Sequence, residues 1–311
     1  MRALLIAPAL AAGLLSLTGC EIDDFGSFGR YSKDFHESHA LKAGGRLSIE
    51  TFNGSVELSG WDQEMVDISG TKVGPSPQAA EDVKIQIDSS PDSLSIRAVR
   101  PSELRGAWGA RFVVKMPRHA VVDLIKTSNG QIHIVDGAGP GRFRSSNAAI
   151  RIEGFAGSVD AQTSNGSVEL VDVKGEVVAR TSNARIRADN LGGALQATTS
   201  NGSITANLAS SVATDRPLHL ETSNAGVDIT LPTKFNNGVR ISSSNGPITL
   251  HVPSELNARV LARTNNASIT SDFEVRMQGE FNKNHMDGMI GSGGPLFDLS
   301  TSNASIRLLR M

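Results

Sequence analysis

The chain of 311 residues holds one cysteine, one tyrosine and two tryptophans. A single cysteine excludes a disulfide framework within the chain. Aromatics make up only 5% of the sequence, so few rings are free to stack on sugars or bases. No charge of one sign dominates. Thirty Lys and Arg stand against 32 Asp and Glu, a net charge of −2. That balance excludes the broad basic face of a nucleic-acid reader, and no nucleic-acid partner is expected. Beyond the first twenty residues no apolar run approaches the roughly 20 residues that a membrane-spanning helix needs. What the chain does have is 31 glycines and a hydrophobic content of 39%, enough for a core. The combination suits a turn-rich β protein.

The one cysteine stands at a telling place. Met1-Arg2 is followed by an apolar run from Ala3 to Leu17 and by Leu17-Thr18-Gly19-Cys20. A charged start, a short apolar stretch and small residues at its end describe a secretory leader, residues 1–19. Leu-Thr-Gly-Cys resembles a bacterial lipobox. The resemblance implies that Cys20 is lipidated and becomes the mature N-terminus. Glu21, rather than Asp, follows it, which by the same resemblance favours the outer membrane. A membrane partner held through the N-terminal lipid is therefore expected. Residues 20–45 show no clean period and read as a tether with at most one short element. Within them His36 and His39 have a spacing that would place two ligands on one helical face. No Cys or third His follows nearby, and a solvated surface is the plainer reading.

From residue 121 onward the chain repeats itself. The motif Thr/Ser-Ser-Asn-Gly/Ala-x-Ile/Val recurs at Asn129, Asn147, Asn165, Asn183, Asn201, Asn224, Asn245, Asn266 and Asn303. The first four spacings are 18, the next three are 23, 21 and 21, and the last is 37, close to two units. Asn53 looks like an outlying copy. Three residues after each asparagine stands a β-branched residue, from Ile132 and Ile150 to Ile306. Two further on the column is mostly apolar, and a polar column lies between them. This period of two marks a strand with one buried face. Upstream the same alternation appears four and six residues before the asparagine. Two before it the residue is always Thr or Ser. Each unit is thus strand, Ser-Asn-Gly/Ala corner, strand and a second turn.

Two architectures satisfy this pattern. One is an all-β solenoid, a single-stranded β-helix of about nine coils, in which equivalent strands stack about 4.8 Å apart and the asparagines form a ladder. There Asn303, in the last copy, is expected to have a neighbour on one side only. The other is an antiparallel meander with type I′ Asn-Gly hairpins. The residue after the asparagine alternates, as in Gly130, Ala148, Gly166 and Ala184. Alanine is unfavourable at the positive φ that such a turn requires, which favours the solenoid. The alternation leaves open whether one coil is one repeat or two. Residues 46–120 differ from the repeats. They carry alternating segments such as Leu47-Ser48-Ile49 and a short helix expected from Pro77 to Val83. They read as an N-terminal β-rich cap on a solenoid over residues 121–311, since repeat arrays need atypical ends.

The run Thr163-Ser-Asn-Gly-Ser-Val-Glu-Leu170, its copies, Gly291-Ser-Gly-Gly-Pro295 and Val113-Val-Lys-Met-Pro117 resemble a bacterial adhesin-like β-strand-repeat family of unknown function, related to autotransporter-adhesin-like head domains. The resemblance covers roughly residues 46–311. It implies an envelope protein and supplies no catalytic residues.

Several constellations bear on chemistry. Asp136, Glu153, Asp172 and Asp189 follow their asparagines by six or seven residues and would line an acidic edge. Such an edge holds Ca²⁺ or merely solvates a turn. The outer column His133, Arg151, Glu169 and Arg187 reads as a surface ion-pair ladder, or as a sugar or phosphate site. Gly288 to Gly294 lacks the Lys and the following helix of a phosphate loop and reads as a plain loop. Trp61 and Trp108 are either core residues or a small recognition surface. No nucleophile, base or metal set is evident, so neither catalysis nor a cofactor is expected. The reading that follows is a non-enzymatic, lipid-anchored protein of the cell envelope. Its rigid repeat domain faces the periplasm or the outside and serves adhesion or envelope interaction, with a surface glycan or envelope protein as partner. The alternatives are a carbohydrate-binding or carbohydrate-active β-helix and a self-associating structural protein.

Overall fold

The computed structural model describes residues 31–99, 108–209, 216–278 and 282–311. The leader, Cys20 and the first part of the tether lie outside the described residues. The described chain forms 27 strands and one short helix, arranged in a 13-stranded and a 14-stranded sheet. Each repeat gives one strand to each sheet. Strands of successive repeats pair parallel and in register, as in Ile150↔Ile132 and Ile150↔Val168. The meander is thereby excluded and the solenoid stands. One coil is one repeat, because neighbours in the stack are 18 residues apart here.

The alternation explains the core. The residues three places after the asparagines, Ile132, Ile150, Val168 and their equivalents, point between the sheets and are buried. They face the upstream columns, among them Phe143, Ala161, Leu220 and Leu299, which are also buried. Like residues therefore stack on like along the whole molecule. Apolar side chains of successive coils fill one continuous interior, which gives hydrophobic burial no break along the rod.

The order of coils is not the order of the sequence at either end. Arg46–Glu50 and Val56–Trp61 form a coil that continues the stack next to Val121–Lys126 and Ile132–Val135. The outer coil beyond it is built from later residues, Ser93–Val99 and Gly109–Pro117. At the other end Leu296–Thr301 and Ile306–Arg310 slip between the Asn245 coil and the Asn266 coil. Antiparallel strands then cover the outer coils. Met65–Gly74 and Lys84–Ser90 do so at the first end, and His285–Ile290 in one sheet at the second. Antiparallel pairing at the ends stops the parallel stack from propagating.

The helix runs from Pro77 to Asp82, with Ser76 as its cap accepting a hydrogen bond from the Ala79 N–H at 3.1 Å. Within the segment expected to be a tether, Tyr31–Ala40 is a ten-residue strand antiparallel to Met65–Gly74. Its sequence shows no period because it is an edge strand exposed on nearly every residue. Its charged side chains blunt that edge. His36 and His39 sit on this strand, where a separation of three puts them on opposite faces. His36 lies 3.1 Å from Asp67 and His39 lies 3.1 Å from Glu37, so the two do not converge.

Candidate functional site

The Ser-Asn corners stack into one ladder. Asn147 donates its side-chain amide to Asn129, Asn165 to Asn147, Asn183 to Asn165 and Asn201 to Asn183, over 2.6–2.8 Å. Asn224, Asn245, Asn303 and Asn266 continue it over the same range. Asn129 donates in turn to Asn53, so the outlying copy belongs to the ladder. Asn303 is not terminal, as its place in the sequence suggests. It lies between Asn245 and Asn266, and Asn266 forms the end. All nine repeat asparagines are solvent-exposed.

Beneath the amides runs a second, buried ladder whose role the sequence did not disclose. The Thr163 hydroxyl donates to the Ala148 carbonyl of the preceding coil at 3.0 Å and accepts from the Gly166 N–H at 3.3 Å. Thr199 and Ser243 do the same in their coils. The column is buried from Thr51 to Thr301. Its signal was the unbroken run of Thr or Ser two residues before every asparagine. The Gly/Ala alternation also has its cause here. A Cβ on Gly166 would sit 2.0 Å from the Ala148 carbonyl oxygen, and one on Gly202 would sit 1.7 Å from that of Ala184. From Gly130 to Gly246 every second corner leans onto the coil before it, and none of these four glycines has φ > 0.

The acidic edge does not assemble. Asp136 and Asp172 share a stack position with Gly154 and Asn190, all with φ between 54° and 65°. Asp, Asn and Gly are the residues that tolerate this left-handed turn. Glu153 and Asp189 lie one place earlier. Each acid is bound by a neighbour. Asp136 pairs with Arg118, Asp172 accepts from Asn190, and Asp189 accepts from Arg187 at 2.6 Å and Asn207 at 2.8 Å. Among the described residues no three His, Cys, Asp or Glu side chains gather as metal ligands.

The outer column is a network of ion pairs. Glu153 accepts from Arg151 and lies 3.0 Å from His133, and Glu169 takes Arg151 at 3.3 Å and Arg185 at 2.9 Å. The hydrogen bonds from Arg151 and then His133 hold the Glu153 carboxyl below the usual carboxylate range. Burial raises the Asp189 value, but the bonds from Arg187 and Asn207 outweigh it and the net direction is down. Glu153 and Asp189 are thus held as compensated charges by their neighbours.

Gly288 belongs to the strand His285–Ile290, not to a loop, and the turn itself is carried by Gly291 and Gly293 at φ 60° and 81°. Trp61 is half-buried, its indole N–H donating to the Met65 carbonyl at 2.8 Å, with Lys115 over its ring. Trp108 is also half-buried and lies at the first end of the ladder. There the Asn53 amide donates to the Trp108 carbonyl at 2.9 Å. Beside it opens a groove of about 690 Å³ that crosses the corners of four coils, from Trp108 past Asn53 and Asn129 to Ala148. The ion pair Arg111–Glu57, at 2.7 Å, lies on its flank.

The described residues therefore form a two-sheet β-solenoid with an exposed amide ladder, a compensated charged face and a groove of mixed polar and apolar lining at its first end. No protein-family model matches the sequence, and neither does any curated protein. Among solved structures the chain is similar to a candidate adhesin from Bacteroides fragilis, at 12% identity and a TM-score of 0.45, over 89% of this chain and 97% of that one. It is also similar to a candidate cell adhesion protein from Clostridium sporogenes, at 11% identity and a TM-score of 0.24, over 90% of this chain and all of that one. Identity and superposition are both too low to carry a ligand or an activity across.

Proposed function

We propose that the chain is a lipid-anchored protein of the bacterial cell envelope whose repeat domain is a rigid, non-enzymatic rod for adhesion or envelope interaction. The observation that carries this reading is the continuous parallel stack, with antiparallel strands over both sheets at its first end and over one sheet at its second. Thirteen strands at about 4.8 Å spacing give a rod roughly 60 Å long. The rod is stiffened by ladders at the core, the hydroxyl column and the amide corner. A stiff, capped rod displays faces at a distance from its attachment point. The attachment point is Cys20, in the lipobox-like Leu17-Thr18-Gly19-Cys20. The segment from Cys20 to Tyr31 reaches at most roughly 40 Å, which keeps the first end of the stack within that distance of the anchor, and Glu21 after the cysteine favours the outer membrane. The absence of catalysis is supported by the pairing of every acid in the candidate edge with a cation or an amide.

Cys20→Ser tests the anchor. It is expected to abolish lipid labelling and to move the protein out of the detergent phase. A variant that still partitions with membranes in a detergent-dependent way overturns the anchor. Incubation of the purified protein with envelope polysaccharides, with both retention and depolymerisation read out, tests the rest. Retention without cleavage is expected. Cleavage that disappears in Asp172→Asn or Asp189→Asn makes the protein a carbohydrate-active enzyme instead.

A further inference from the structure

We infer that the outer edge of Tyr31–Ala40 is a self-association surface, on which a second copy of this chain pairs strand to strand about a two-fold axis through Phe35. The inference goes beyond the adhesion reading and does not depend on it. It starts from an open edge. Tyr31–Ala40 is the terminal strand of the 13-stranded sheet and pairs along its ten residues with Met65–Gly74. Among the described residues no strand lies on its other side. The N–H and C=O groups on that side form a template roughly 33 Å long. The edge also projects. Beyond the outer coil of Gly109–Pro117 and Ser93–Val99, the 13-stranded sheet adds two antiparallel strands and the 14-stranded sheet adds one. Phe35 fixes the strand in place. Its half-buried ring lies over Gly70, where a Cβ would come within 2.1 Å of it, and meets Phe112 edge to face at 6.1 Å.

The sequence of the edge says which partner fits. Two copies paired antiparallel, edge to edge, are related by a two-fold axis normal to the sheet. Residues of the same face then stand opposite each other, so the axis passes through a residue and not between two. The centre of the strand reads Lys33-Asp34-Phe35-His36-Glu37. Centring on Lys33, Asp34 or Glu37 sets a charge against its own copy, and centring on His36 sets imidazole against imidazole. Centring on Phe35 sets Lys33 against Glu37 and Asp34 against His36, each twice. It also sets Ser32 against Ser38, and Tyr31, which is 49% exposed, against His39. Opposite charges directly across two strands stabilise the pairing and like charges oppose it. The charges that blunt this edge against indiscriminate pairing thus leave one register of self-pairing open.

The partners these side chains have within their own chain do not bar the pairing. Lys33 lies 2.5 Å from Glu81, Glu37 lies 3.1 Å from His39, and His36 lies 3.1 Å from Asp67. Lys33, Glu37 and His36 are each more than half exposed, and such surface pairs exchange at little cost. In the pair, the 13-stranded sheet of one copy runs on into that of the other. The two rods join at their first ends, which brings both N-terminal segments to the joint. Anchoring both copies in one membrane raises their effective concentration there.

The test uses the full chain in detergent, with its mass read by sedimentation equilibrium over a range of concentrations. A dimer is expected. Lys33→Glu and Glu37→Lys each put like charges across the seam, and each is expected to weaken the dimer about tenfold or more. The double variant Lys33→Glu/Glu37→Lys restores opposite signs and is expected to recover association, which separates a lost contact from a lost fold. Cysteines read the register. In the Cys20→Ser background, Ser32→Cys combined with Ser38→Cys sets the two Cα atoms about 5 Å apart across the seam, and mild oxidation is expected to give a disulfide-linked dimer. Either cysteine alone faces its own copy at about 20 Å and is expected to give none. A monomer at every concentration overturns the inference. So does a dimer that neither charge reversal weakens, or one that a single cysteine cross-links as well as the pair does. Slow amide exchange at odd and even residues of Tyr31–Ala40 alike, in a monomeric sample, makes the chain's own N-terminal segment the occupant of the edge and overturns it too.

Discussion

Asn303 donates its side-chain amide to Asn245 at 2.7 Å, although 58 residues separate them in the chain. The contact exists because the last coil in the sequence is not the last coil in space. The chain first builds the Asn266 coil, leaves a gap, folds the hairpin Val275–Met277 and His285–Ile290 over the outside, and then fills the gap.

A ranking of asparagine variants follows. Asn165 and Asn303 each have a ladder neighbour on both sides, whereas Asn266 has one. The ladder is exposed, so water replaces part of each lost bond, and a bond nets about 0.5–1.5 kcal/mol. Asn165→Leu and Asn303→Leu are expected to cost about 1–2 kcal/mol, and Asn266→Leu about half of that. Urea unfolding of the three variants measures it. A milder loss at Asn303 than at Asn266 contradicts the intercalated order.

The hydroxyl column makes a sharper prediction. Thr163 is 3% exposed and satisfies both the Ala148 carbonyl and the Gly166 N–H. Thr163→Val keeps the shape and removes both bonds. About 1–3 kcal/mol is expected for each buried group left without a partner. Thr163→Val should therefore cost more than Asn165→Leu, and Thr163→Ser, which keeps the hydroxyl, much less. Thermal unfolding of the three distinguishes these. Equal losses for the valine and serine variants would show that the hydroxyl matters little.

The strand alternation, the repeat length and the asparagine register were legible because they are local and recur nine times. The coil order at the ends was not. Nothing local in Leu296–Thr301 distinguishes pairing with Val239–Ser243 from pairing with Ala258–Thr264, and it pairs with both. Tyr31–Ala40 was missed for the opposite reason. An edge strand exposed on both faces carries no hydrophobic period to read. Of the two readings of the acidic edge the turn is the one the structure bears out, because Asp136 and Asp172 answer a backbone requirement at φ > 0 that residue type alone does not separate from ligand chemistry. The groove combines Trp108 with Asn129 across two coils, a juxtaposition that only the stacking order creates.

The corner alternation predicts an asymmetry between two small substitutions. Gly166→Ala places a Cβ 2.0 Å from a backbone oxygen of the neighbouring coil. Backbone cannot yield without moving the stack, so a loss of about 3 kcal/mol or more is expected. Ala148→Gly, in the adjacent coil, opens no clash and is expected to cost about 0.5–1 kcal/mol through chain entropy. Paired unfolding curves of the two variants check this. Similar losses would mean that the corners are equivalent and the alternation is incidental.

The outer ion-pair network predicts a dependence on pH with a definite sign. Arg151 and His133 hydrogen-bond the Glu153 carboxylate and hold its folded-state pKa below the unfolded value of about 4.3. A depressed carboxyl stabilises the fold above the unfolded value, and that contribution disappears as pH falls through the folded value. Glu153→Gln removes the titrating group but keeps the shape. The stability gap between wild type and Glu153→Gln is therefore expected to be largest above the unfolded value of about 4.3 and to shrink as pH falls through the folded value. Asp189, held down by Arg187 and Asn207 against the effect of its burial, should behave in the same direction. Because Glu153 and Asp189 lie in different pairs of the network, Glu153→Gln should leave the Asp189 contribution in place. The double variant should then flatten the acid limb of the stability curve further than either single change. Urea unfolding at closely spaced pH values measures this. A gap that widens on acidification would reverse the sign and show that Glu153 is held by burial and not by its cations.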